Sequence, residues 1–71
     1  MRYEQNSDLP SAVREQLPND AQETYLIAFN GAVRKYGSDR VAVAHRIAWA
    51  AVERSFVQPI PGLWVRFAGL A

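Results

Sequence analysis

Ser38-Asp39-Arg40-Val41-Ala42-Val43-Ala44-His45-Arg46-Ile47-Ala48-Trp49-Ala50-Ala51-Val52-Glu53-Arg54-Ser55-Phe56 carries one periodicity throughout. Projected at about 100° per residue, Val41, Ala44, Ala48, Ala51, Val52 and Ser55 centre on one face, with Asp39, Arg46 and Glu53 opposite. That is an amphipathic helix. Ser38-Asp39 supplies a cap after a turn at Gly37, and the pattern is expected to run to Phe56 or Val57, where Gln58-Pro59 halts it. Its alanines allow a neighbouring helix to approach closely. His45, Trp49 and Phe56 fall together on one shoulder between core and solvent, and Val43 and Ile47 on the other.

Towards the N-terminus, Asp20-Ala21-Gln22-Glu23 has the form of a capping box with aspartate as the cap, and Gly37 lies just past Tyr36. These frame a second helix, about Ala21 to Tyr36. Ala21, Tyr25, Ala28, Phe29, Ala32, Val33 and Tyr36 recur on it at spacings of three and four, so one aromatic-rich stripe should face the helix that follows. Before it, Ser7-Asp8-Leu9-Pro10 offers capping side chains and a first-turn proline, while Leu17-Pro18 ends the segment. A helix from about Pro10 to Gln16 results, too short to persist in water without tertiary contacts. Leu9, Val13, Leu17, Tyr25, Phe29, Val33, Ala48 and Val52 are therefore expected to share one core.

Beyond Val57 the sequence changes character. Pro59-Ile60-Pro61-Gly62 cannot extend a helix, and Leu63-Trp64-Val65-Arg66-Phe67 is rich in strand formers. Exposed, Trp64 and Phe67 would present a large apolar patch, so this tail is expected to dock on the helices. The other strand-like stretch is Arg2-Tyr3-Glu4, a candidate partner for a miniature antiparallel ribbon joining the two ends. The expected fold class is thus mainly α: a small three-helix domain, one helix short and two longer, with a docked C-terminal tail and that ribbon.

With 71 residues there is room for one domain, 1–71, and its apolar residues are needed for the core rather than a deep pocket. The absence of cysteine removes disulfides and thiolate metal sites and makes the reducing cytoplasm the expected compartment. No membrane span is expected, because the apolar-rich stretch Val41 to Val52 is interrupted by His45 and Arg46. Residues 1–30 carry two arginines against five acids, and residues 31–71 six basic residues against two acids. Much of this asymmetry reflects helix ends: Asp20, Glu23 and Asp39 lie near expected N-termini, and Arg34, Lys35 and Arg54 near C-termini.

Assembled chemistry is missing. One histidine without cysteine cannot build a usual zinc site, and the carboxylates lack calcium-loop spacing. Ser38, Asp39 and His45 contain the atoms of a hydrolase triad, but no nucleophile-elbow sequence surrounds a serine, and the isolated glycines form no phosphate loop. The expectation is a non-enzyme without cofactor or metal that works by binding. Its candidate interaction surface is His45, Arg46 and Trp49 on the third helix with Trp64 and Phe67 in the tail. Packing is the alternative role for the His45/Trp49 pair, whose spacing also suits a roof over the core.

Taken together, Tyr3, Ser7-Asp8-Leu9-Pro10, Leu17-Pro18, Ala21-Gln22, Tyr25, Ala28-Phe29-Asn30, Tyr36 and Ala44-His45-Arg46-Ile47-Ala48-Trp49-Ala50-Ala51-Val52 resemble the ChaB family of proposed cation transport regulators. Gly62-Leu63-Trp64 looks like that family's terminal G-x-W. Two features depart from the family pattern: only seven residues separate Tyr36 from Ala44, and Val65-Arg66-Phe67-Ala68-Gly69-Leu70-Ala71 stands where the family runs into lysines and arginines. The resemblance implies a small helical cytoplasmic protein that modulates a membrane calcium or sodium/proton antiporter by binding its cytoplasmic face. It brings no catalytic or ligand residue, and its motif positions Leu9, Pro10, Leu17, Pro18, Tyr25, Phe29, Ala48, Trp49 and Val52 look like packing and turn positions. The runner-up partner is nucleic acid, met by the basic half and stacking aromatics. A pI near 8.2 and the lack of a continuous basic stripe weigh against it.

Overall fold

The computed structural model describes residues 2–66. A short 3-10 turn (Asn6–Asp8) leads into α1 (Ser11–Gln16), α2 (Asn19–Tyr36), α3 (Val41–Ser55) and an antiparallel hairpin of β1 (Phe56–Ile60) and β2 (Leu63–Arg66). The first turn is closed by Asp8, whose Oδ2 accepts the backbone N–H groups of Glu4 and Gln5, both at 3.2 Å. All eight residues expected in the core are buried, joined by Ala21, Ala32, Ala44 and Phe56. The short α1 is held as its length requires, with Leu9, Val13 and Leu17 in this cluster.

Proline sets the junction between α1 and α2. Leu17, preceding Pro18, is extended (φ −116°, ψ 138°), as the proline ring demands. α2 begins at Asn19, two residues before the expected start, because the Pro18 carbonyl already accepts the Gln22 N–H at 2.9 Å. Asp20 therefore sits inside the first turn instead of capping it, with Oδ1 accepting the Ala21 N–H at 3.0 Å. At the far end, Gly37 (φ +100°) closes α2. That positive φ is what calls for glycine, since a Cβ there would meet only the movable, exposed Asp39 carboxylate at 2.8 Å. Ser38-Asp39 does not cap α3 either: Arg40 occupies that position without a side-chain cap bond, its carbonyl accepting the Ala44 N–H at 3.1 Å.

The expected end of α3 and the expected ribbon both need correction. α3 stops at Ser55, and Phe56 is extended (φ −132°, ψ 150°), opening β1. β2 pairs with this adjacent strand, not with Arg2-Tyr3-Glu4, in the register Phe56↔Arg66, Val57↔Val65 and Ile60↔Leu63. The reason is local: Gly62 (φ +85°) permits a tight turn, and closing a short loop costs less entropy than joining the chain ends. The register slips between Val57 and Ile60, where Pro59 has no N–H for the ladder. The N-terminal segment finds another partner. Asn30 Oδ1 accepts the Tyr3 N–H at 2.9 Å and Asn30 Nδ2 donates to the Tyr3 carbonyl at 2.8 Å, the pair of bonds a neighbouring strand would make.

Docking of the tail on the helices holds for Trp64, while Leu63 and Val65 of β2 stay exposed. Trp64 packs against the core, and the Arg66 guanidinium lies 4.8 Å from the Phe56 ring centroid. Arg66 also approaches Asp20 of α2 at 3.9 Å, an exposed pair of small energetic weight. Phe67 lies outside the described residues.

Candidate functional site

The aromatic stripe of α2 and the shoulder of α3 meet in one cluster. Tyr25 and Phe29 of α2 are fully buried, while His45 and Trp49, one turn apart on α3, are half-buried above them. Trp49 stands edge-on to Tyr25 (centroids 5.4 Å, 82°), and His45 lies 4.6 Å from Phe29. Tyr3 covers the other side of Phe29 at 4.7 Å, held there by Asn30.

The Tyr25 hydroxyl reaches His45 Nδ1 at 2.5 Å. Burial first, and Tyr3 second, push the Tyr25 phenol up to about 12, so it keeps its proton and donates. Burial lowers the His45 pKa, which favours the neutral ring with Nδ1 accepting and the proton on Nε2. Tyr25 needed a partner for its hydroxyl in the core, and the chain's single histidine meets it. A buried tyrosine stripe facing a lone shoulder histidine was the available sequence signal for this bond.

Of the expected surface residues, His45 and Trp49 stand side by side but are largely engaged in roofing the core, whereas Arg46 is exposed. Trp64, on β2, is half-buried against the same core. Elsewhere, Arg2, Asn30, Val33 and Arg34 line a shallow groove of about 190 Å³. Sequence reading missed the hairpin, where Val57 (41%), Ile60 (60%), Leu63 (47%) and Val65 (39%) remain exposed. Strand alternation in β2, with Trp64 inward, was the signal that could have found part of it.

The ChaB family profile matches residues 9–66. The chain belongs to the ChaB family. A relative from Escherichia coli K12 named "Putative cation transport regulator ChaB" is 36% identical over 72 residues, covering 90% of this chain and 95% of its own. A Shigella flexneri protein of the same name gives the same figures. The NMR solution structure of a protein of that name superposes with a TM-score of 0.80 at 34% identity, covering 93% of this chain and 99% of its own. The ChaB motif around Ala44-His45-Arg46-Ile47-Ala48-Trp49 thus lies on α3, with Ala44 and Ala48 buried against α2. Its terminal Gly62-Leu63-Trp64 makes the hairpin turn and the inward tryptophan of β2.

Proposed function

We propose that this ChaB-family chain is a non-catalytic regulator that binds a membrane cation antiporter at its cytoplasmic face. The observation that carries the reading is the near full-length similarity to proteins named as cation transport regulators. The form of the chain is compatible with it, since no helix among the described residues is long and apolar enough to cross a membrane. A regulator of this kind acts on its transporter from outside the bilayer. The contact surface we assign is the α3 face bearing His45, Arg46 and Trp49, with Trp64 on β2 beside the core and Phe67 beyond it in sequence. Arg46 is its exposed charged member, suited to a carboxylate on the partner.

The test is cation/proton exchange in vesicles containing a single antiporter, measured with and without the purified chain, together with direct binding. The expected result is a change in exchange and saturable binding, both weakened by Arg46→Glu, an exposed substitution that leaves the core untouched. Binding to a protein interface should weaken only mildly with salt. Micromolar binding to random DNA or RNA, falling with a log-log salt slope of roughly −0.9 per phosphate and lost on replacing Arg40, Arg46 and Arg54, would promote the nucleic-acid reading instead.

A further inference from the structure

The hairpin tip is a convex apolar projection. Seven consecutive residues, Val57 to Leu63, are exposed, and Gln58 is the one polar side chain among them. Its Oε1 accepts the Gly62 N–H across the turn, and Pro59 and Pro61 stiffen the same loop. Cross-strand partners share a face, so Val57 and Val65 point the same way, opposite to Phe56, which is buried. The outer face of this sheet therefore consists of valines that continue into Ile60 and Leu63 at the tip, all four exposed. Within the segment from Arg54 to Arg66 there are two arginines and no acid, and the acid that nears it from another element is Asp20, 3.9 Å from Arg66, which leaves Arg54 as the cation that no ion pair engages among the described residues.

We propose that this hairpin is a membrane-surface anchor that inserts Ile60 and Leu63 into the headgroup boundary of an anionic bilayer, with Arg54 and Arg66 meeting the lipid phosphates. Dimensions agree. Leu63 and Arg66 are three strand residues apart, about 10 Å, against an interfacial insertion depth of about 5–10 Å. A rigid tip loses little conformational freedom on insertion. A second copy fits less well. Pro59 and the slipped register at Ile60 blunt the β1 edge against strand addition.

The test sediments the full chain with protein-free vesicles, of phosphatidylcholine alone or of phosphatidylcholine mixed with phosphatidylglycerol. Anionic vesicles should bring the chain down and neutral ones much less. Ile60→Ser/Leu63→Ser should weaken binding by about tenfold or more while melting as the wild type does, because both side chains are exposed. Arg54→Gln should weaken binding to the anionic vesicles alone. No sedimentation with either lipid overturns the proposal, as does binding that ignores the serine pair. Self-association lost in the serine pair, without lipid binding, overturns it in favour of a second copy. The vesicles hold no transporter, so failure here leaves the regulator reading standing, and failure of the antiporter experiment leaves this one standing.

Discussion

Gln22→Glu isolates one polar contact on which the α1–α2 junction depends. Gln22 is buried, and its Nε2 donates to the Leu17 carbonyl at 2.8 Å and the Arg14 carbonyl at 3.3 Å. Both carbonyls lack their helical donor. The amide four residues beyond Arg14 belongs to Pro18, which has no N–H, and Leu17 is extended between the two helices, where no helical donor reaches its carbonyl. Glutamate keeps the shape but, ionised, offers no proton and sets negative charge against two carbonyl oxygens. Two lost hydrogen bonds at about 0.5–1.5 kcal/mol each, with the cost of leaving buried acceptors unpaired, come to roughly 2–4 kcal/mol. The N-terminal dipole of α2 opposes this by about 0.3–1 kcal/mol, so destabilisation wins with a net of roughly 2–3 kcal/mol. A domain of this size nets only about 3–5 kcal/mol, so urea unfolding followed by circular dichroism at pH 7 should show most of the stability gone. Acid should restore part of it. The fold raises the pKa of such a carboxyl above its unfolded value, so the stability is fully present below the unfolded pKa of about 4.3 and lost as pH rises through the folded one. A variant midpoint equal to wild type at pH 7, or one that does not recover on acidification, would refute the role given to this amide.

Phe29 is fully buried between Tyr3 and His45, so Phe29→Ala should cost about 3–5 kcal/mol, comparable to the whole stability of the domain. An unchanged denaturant midpoint would remove Phe29 from the centre of the core. The pH dependence of wild-type stability follows from His45, whose folded pKa is lowered by burial. The unfolded chain then binds the extra proton first, so stability is full above the ordinary imidazole value of about 6.5 and falls as pH drops through it towards the folded pKa. Unfolding curves between pH 7.5 and 5.5 should show this fall in wild type and a flatter profile in His45→Gln; identical profiles would contradict it.

Near-neighbour chemistry determined the helices. Leu17-Pro18, Gly37 and the three-and-four spacing along Tyr25, Phe29 and Val33 act within a turn or two, so α1, α2, α3 and the core stripe were legible without a partner in view. The shoulder position of His45 and Trp49 was legible for the same reason, since 100° per residue places them wherever the helix lies. What the tertiary structure decided lies in contacts between elements. The Tyr25 hydroxyl finds His45 only because α2 and α3 pack with those turns facing, and Gln22 finds α1 only because the Pro18 junction folds it back. Phe56 and Val57 satisfy both a helix pattern and a strand pattern, and pairing with β2 resolved the ambiguity for strand. Strand partners are chosen by loop closure and burial, which no single segment encodes. Asn30 could therefore take the place of the partner strand expected for Tyr3, while Val57 and Val65 on the outer face of the hairpin stay exposed.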